Sequence, residues 1–210
     1  MSKVFAFSGG CYSGKTTSML EVKDILESKG YTVKILGERI RERATKPIDE
    51  IRQNPSEYFK LQKKVITGKI HDERKAFADT SDTIYLVDRA LSDSLFYLQT
   101  YTDFTDFSAT QLSDYTRFYA YTYRNALYSF KHYSKLIMFK PITDVKTEDS
   151  MRPKHVGIVN NVEYLGIYTN TISFAYMAHR LTSNDYMFSC VSAINYKPED
   201  IVNSIIIPKL

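Results

Sequence analysis

The sequence predicts an α/β fold, a five-stranded parallel sheet flanked by helices in three layers. Two observations predict it. Short apolar runs alternate with longer segments of helical periodicity along the 210 residues, the pattern of a parallel sheet with helices on both faces. The first apolar run also leads directly into a glycine-rich loop and a helix. No internal repeat or low-complexity tract interrupts the alternation.

Five runs bounded by polar or turn residues read as buried strands, namely Val4–Ser8, Thr32–Leu36, Thr83–Val87, Lys135–Phe139 and Tyr186–Val191. Lys15–Lys29 reads as a helix because Met19, Val22, Ile25, Leu26 and Lys29 recur at i, i+3, i+4 spacing, with Gly30 as its stop. A second helix starts near Pro55, a first-turn residue, and runs through Phe59, Gln62, Val65 and Ile66. Leu91–Tyr101, Ser113–Tyr133 and Ile167–Leu181 follow the same periodicity, and Pro198 opens a last helix over Glu199–Ile206. Ligands of such folds bind at the carboxyl ends of the strands, so the chemistry is to be sought just after each strand.

Bulk composition narrows the function classes. Hydrophobic residues make up 43% and charged residues 25%, ordinary for a globular chain with a sizeable core. The net charge of +4 and pI of about 8.8 suit an anionic ligand such as a nucleotide. That excess falls short of a nucleic-acid-binding face, with one denser patch at Arg39, Arg41 and Arg43. Two distant cysteines, Cys11 and Cys190, form no disulfide framework or zinc spacing, which points to a reducing cytoplasm (the host's, for a viral source). No signal-peptide layout is visible and no apolar stretch approaches a membrane span. The four histidines, His71, His132, His155 and His179, are scattered without metal-ligand spacing.

The stretch Gly9-Gly10-Cys11-Tyr12-Ser13-Gly14-Lys15-Thr16 has the spacing G-x-x-x-x-G-K-[ST]. Placed after a strand and at the start of a helix, it reads as a phosphate-binding loop. Glycines let backbone N–H groups converge on phosphate oxygens, and the helix N-terminus adds partial positive charge. Lys15 is expected to reach the β- and γ-phosphates and Thr16 to bind Mg²⁺. Cys11 and Tyr12 fill variable positions. A GTPase would carry Asn-Lys-x-Asp after a late strand, where this chain has Asn195-Tyr196-Lys197-Pro198. A hydrolytic motor would end its acidic strand in Asp-Glu, where this chain has Asp88-Arg89. Both absences favour transfer to a bound acceptor over transfer to water.

The run Asp88-Arg89-x-x-x-Asp93-x-x-x-Tyr97 behind an N-terminal phosphate loop resembles the P-loop nucleoside and nucleotide kinases. That group includes thymidylate-kinase-like, deoxynucleoside-kinase-like and nicotinamide-riboside-kinase-like proteins, the last common in bacteria and phages. Glu38 after the second strand and Gln62 before the third match in order, and Thr147–Lys154 resembles a basic lid with fewer arginines than its relatives. The resemblance implies one kinase domain over 1–210, with the phosphate loop at 9–16, an acceptor-binding region at about 38–100 and a lid at about 144–160. It implies ATP and Mg²⁺ as cofactors and a nucleoside or nucleoside monophosphate as acceptor.

Gly10, Ser13, Gly14, Lys15, Thr16 and Thr17 would bind the cofactor, and Thr16 with Asp88 the metal. Asp88 has helix capping as its structural alternative. Arg89 would bind the acceptor, or else form a structural ion pair. Glu38 would take the proton of an attacking hydroxyl, a role that a phosphate acceptor does not need. Arg41, with Arg39, would hold an acceptor phosphate or face solvent. Gln62 would read a base edge or face solvent, and Tyr58, Phe59 and Tyr97 would stack on the base or fill the core. Arg152 and Lys154 would close over the transferring group. Tyr196, with Asn195 and Lys197, would lie near adenine. Two alternatives stay open: a kinase acting on a hydroxymethylated base in DNA, and a non-enzymatic ATP-binding switch. A homodimer is compatible with all three.

Overall fold

Strands β1 (Lys3–Ser8), β2 (Val33–Leu36), β3 (Ile84–Asp88), β4 (Lys135–Met138) and β5 (Ser189–Cys190) form a five-stranded sheet in the order β2-β3-β1-β4-β5. Every pairing is parallel. The computed structural model describes residues 3–11, 13–37, 40–100, 102, 104–140, 158–182, 189–190 and 197–210. Of the expected fifth strand, only Ser189 and Cys190 lie within the described residues. Helices α1 (Lys15–Ser28), α2 (Ile40–Arg43), α3 (Ile48–Arg52), α4 (Pro55–Ala78), α5 (Leu91–Thr100), α6 (Ala109–His132), α7 (Ile158–Thr182) and α8 (Pro198–Ile201) surround it.

The two faces of the sheet are legible in the strand period of two. Val4, Ala6, Tyr85, Val87, Leu136 and Met138 point into a core shared with α4, α5, α6 and α7. Their neighbours Phe5, Phe7, Ile84, Leu86, Ile137 and Phe139 point the other way, onto Met19, Val22 and Leu26 of α1 and Ile201, Val202 and Ile206 near the C-terminus. Both faces are covered, which is why the strands read as continuous apolar runs rather than alternating ones. A smaller cluster joins Ile48 and Ile51 of α3 to Tyr58, Leu61 and Val65 of α4.

Helix ends follow local chemistry. α1 stops in a Schellman turn: Gly30 takes φ 88°, its N–H donates to Glu27 O and the N–H of Tyr31 to Leu26 O. α4 starts at Pro55 with the Asn54 side chain accepting from the N–H of Glu57. α6 begins four residues before the expected Ser113, because Ser108 and Gln111 form a capping box. α7 starts at Ile158 rather than Ile167, so the last residues assigned to the lid, 158–160, are helical, and residues 144–157 lie outside the described residues. The expected helix over Glu199–Ile206 is α-helical only to Ile201, then a π turn over Val202–Ile206 and a 3₁₀ turn over Ile207–Lys209. Pro208 lacks the N–H that would close a regular turn onto Ser204. The helices α2 and α3 are too short for a periodic signal to show in the sequence.

One glycine fixes how closely α7 approaches α5. A Cβ on Gly166 would lie 2.1 Å from Cε2 and 2.7 Å from Cδ2 of Phe96. In an open helix Gly→Ala stabilises by about 0.5–1 kcal/mol. Here the expected outcome is the reverse: Gly166→Ala loses about 1–3 kcal/mol through overpacking, and Gly166→Val more. Denaturant unfolding measures it, and a more stable Gly166→Ala would show that the contact is loose.

Candidate functional site

The carboxyl edge of the sheet gathers the candidate residues by register. Phe7 of β1 lies opposite Asp88 of β3, and Ser8 opposite Met138 of β4. β1 sits between strands reached in opposite directions, a switch point where such sheets open a crevice. The loop leaving β1 fills it. Gly9 has φ 145°, and a Cβ there would meet the carbonyl oxygen of Phe139 at 2.7 Å. Gly14 takes φ 72° at the cap of α1, a conformation that costs glycine little. Inside the loop, the Ser13 hydroxyl donates to Gly10 O at 3.0 Å and Lys15 Nζ to the same oxygen at 3.3 Å. Lys15 is buried on the first turn of α1, and Thr17 is exposed on it.

Asp93, at the start of α5, anchors the loop. Its Oδ1 accepts from the Ser8 hydroxyl at 2.6 Å and its Oδ2 from the N–H of Gly9 at 3.2 Å. Complete burial pushes its carboxyl above the usual range, while Arg89, Ser8, Gly9 and Lys15 pull the other way. The folded chain then holds this proton more tightly than the unfolded chain, so the contribution is present at low pH. It is lost as the pH rises through the raised value.

Asp88 ends β3 beside this loop, and Arg89 follows it. Asp88 Oδ2 accepts from the Thr16 hydroxyl at 3.0 Å, and its buried Oδ1 takes no hydrogen bond. A buried carboxylate oxygen without a partner calls for a cause, and a cation supplies one. The donor set, a hydroxyl and a carboxylate beside the glycine loop, fits Mg²⁺, which prefers hard oxygens and few carboxylates. Among the described residues no group of three His, Cys, Asp or Glu could hold a metal alone.

Arg89 has φ 67°, the only positive value among the described non-glycine residues. Such a backbone costs about 1–3 kcal/mol and persists where its surroundings over-determine it. Here its N–H donates to Phe7 O at 2.8 Å. Its Nη1 donates to Gly9 O at 2.8 Å and to the Tyr97 hydroxyl at 3.0 Å, and its Nη2 points at Cys11 Sγ, 3.7 Å away. The guanidinium also lies 4.8 Å from the centre of the Tyr97 ring. In this structure Arg89 therefore ties the loop to α5.

A second polar group lies behind Arg89. Gln62 is 2% exposed, which overturns the solvent-facing alternative for this position. Its Nε2 donates to the Tyr58 hydroxyl at 2.8 Å, and Tyr58 donates to Tyr97 O at 3.2 Å. Burial pushes the Tyr58 hydroxyl up, against the pull of Arg52 beside it. The Tyr97 hydroxyl donates to Glu163 Oε2 at 3.2 Å. Phe59 packs among Phe107, Tyr115 and Phe118 in the core.

Glu163 and the anchoring role of Asp93 escaped the sequence reading. Glu163 carried one signal: it is the sole acidic residue in the apolar segment that forms α7. Glu38, Arg39, Tyr12, Arg152, Lys154, His155, Asn195 and Tyr196 lie outside the described residues, as does the side chain of Arg41, whose backbone belongs to α2.

Asp93→Ala should lose about 1–3 kcal/mol, because it strands the Ser8 hydroxyl and the Gly9 N–H. Asp93→Asn keeps one acceptor, loses less, and abolishes the fall in stability on raising the pH above about 4. Denaturant unfolding across a pH series measures both, and an unchanged pH profile in Asp93→Asn would refute the burial of an ionisable group.

Comparison with known proteins bears on the fold. Deoxyadenosine kinase from M. mycoides, solved with the products dCMP and a flexible dCDP bound, superposes with a TM-score of 0.57 at 17% identity, over 96% of this chain and 98% of that one. The same enzyme with bound dCTP gives a TM-score of 0.57 at 18% identity over the same shares. These likenesses establish a shared fold. No curated protein matches the chain. Residues 4–162 match the family described as AAA domain. That span is most of the chain and holds the loop, Asp88, Arg89 and Asp93, so the chain belongs to the AAA-domain family and carries it on a P-loop kinase fold.

Proposed function

We propose that this chain is a Mg²⁺-dependent phosphotransferase that moves the γ-phosphoryl group of ATP to a nucleoside or nucleoside monophosphate. The observation that carries the proposal is the Thr16–Asp88 pair, with its unpartnered buried oxygen, beside Lys15 at the mouth of the glycine loop. β3 ends without a glutamate next to Asp88 to polarise water, which favours a bound acceptor over hydrolysis. The fold shared with a deoxyadenosine kinase supports the same direction.

In this reading the loop amides from Gly10 to Gly14, with Ser13 and Lys15, cradle the donor phosphates, and Thr17 flanks them. Lys15 exchanges its contact with Gly10 O for the phosphate oxygens. Thr16 and Asp88 hold the metal, which when bound neutralises charge on those oxygens. Arg89 keeps the loop in place and, with Tyr97, Gln62 and Glu163, bounds the acceptor side. Glu38, which comes two residues after the end of β2 in the sequence, takes the proton of an acceptor hydroxyl. A phosphate acceptor attacks as an anion and needs no such base. Arg41 and Arg152 supply positive charge to the acceptor and to the transferring group. The bond between γ-phosphorus and its bridging oxygen breaks as the bond to the acceptor oxygen forms.

Labelled ATP tested against nucleosides, nucleoside monophosphates, nicotinamide riboside and hydroxymethylated DNA decides the acceptor. Labelling of DNA alone would replace the small-molecule reading, and ATP binding with no labelling would favour a switch. Lys15→Ala should lower kcat by about 10²–10³-fold while the protein stays folded. Near-normal transfer would end the cradle assignment. Glu38→Gln should cost about 10²–10⁴-fold with a hydroxyl acceptor, and less than about tenfold with a monophosphate.

A further inference from the structure

A buried ionic chain underlies the Asp88–Arg89 turn. Lys69, on α4, donates from Nζ to the backbone carbonyl of Asp88 at 3.0 Å. One helical turn on, Glu73 places Oε1 3.3 Å from the same Nζ, and the two side chains are 5% and 1% exposed. Glu73 Oε2 accepts from the Ser129 hydroxyl of α6 at 2.7 Å. Tyr133, at the end of α6, lies against Glu73, and burial together with that charge pushes its hydroxyl well up.

A buried ion pair is seldom more stabilising than apolar side chains of the same volume. The pair is therefore poorly explained by stability, and its position supplies another reason. The carbonyl that Lys69 holds belongs to the peptide leading into Arg89, the described non-glycine residue with positive φ. Two other bonds pin that turn, Arg89 N–H to Phe7 O and Arg89 Nη1 to Gly9 O. Lys69 holds it from the opposite, helical layer. Turning this peptide would swing the Asp88 carboxylate away from Thr16 and the Arg89 guanidinium away from the loop.

We propose that Lys69 is a positioning residue, held by Glu73 and Ser129, that clamps the Asp88–Arg89 peptide and so sets the geometry of the metal-binding and phosphate-binding groups. The inference rests on the phosphotransferase reading for its consequence in catalysis, and on the structure alone for the clamp.

The test uses the full chain with Lys69→Met, which keeps the volume and removes the donor. Amide hydrogen exchange on the nucleotide-free protein reads the clamp directly. Exchange at Gly9 and Arg89 should accelerate about tenfold or more, while Phe5 in the middle of β1 stays protected. Kinetics read the consequence: the Mg²⁺ concentration for half-maximal rate should rise about tenfold and kcat fall, with acceptor KM changed less than about twofold. Lys69→Met should add little to Asp88→Asn, since both act through one carboxylate. If Lys69→Met does not fold, Ser129→Ala, which removes one hydrogen bond, should show the same local exchange pattern in smaller measure. Unchanged exchange at Gly9 and Arg89 in the folded variant, or full additivity with Asp88→Asn, would overturn the clamp. A wild-type chain that labels no acceptor would instead defeat the phosphotransferase reading, and the exchange result would still decide the clamp.

Discussion

The parallel pairing of β1 with β3, with Phe7 opposite Asp88, is the constraint on which the rest of the site depends. It brings the first turn of α1 to the end of β3, so that the Thr16 hydroxyl meets the Asp88 carboxylate. It also leaves Phe7 O to accept the Arg89 N–H one residue past the ladder. A slip of one residue would exchange the two faces of β3, sending Leu86 into the α4–α7 layer and Val87 onto α1. Both faces are packed, so the register is enforced by the core and not by the site. The chemistry is a passenger on that packing.

Charge is concentrated where the packing would least favour it. Lys15, Asp88, Arg89 and Asp93 are all buried at the carboxyl edge, and Lys69 and Glu73 are buried just beneath. Isolated, each would carry a large desolvation cost. Lys15, Arg89 and Asp93 are offset by hydrogen bonds to the loop backbone, Asp88 by the Thr16 hydroxyl, and Lys69 and Glu73 by each other, and the residual imbalance is informative. Asp93 is held above its usual range by burial, and one oxygen of Asp88 is left without a donor. A buried carboxylate oxygen without a donor costs stability, so the core alone does not account for the way Asp88 is placed.

Much of this was legible beforehand. The loop spacing names its own residues, because the glycine positions and the Lys-Thr pair answer to backbone geometry within one short segment. The strands and α1 follow from apolar runs and periodicity for the same local reason. The start of α6 is also set locally, since Ser108 and Gln111 form the capping box. The short α2 and α3 carry too few residues for a period to emerge, and the π turn near the C-terminus reflects a proline that acts backward along the chain.

The sequence by itself determined the α/β class, the glycine-loop motif and the Asp88-Arg89 step at the end of β3. These rest on interactions between residues close along the chain, whose spacing is visible. Only the tertiary structure decided what those residues touch. It turned Gln62 inward, tied Arg89 to Gly9 and Tyr97, gave Asp93 the loop to hold, brought Glu163 from α7 to Tyr97 and set Lys69 beneath Asp88. Most of those partners are separated by many residues, and their meeting depends on strand order and on how four helices pack over one face. Neither quantity is written in local spacing, since both follow from the mutual burial of distant apolar surfaces.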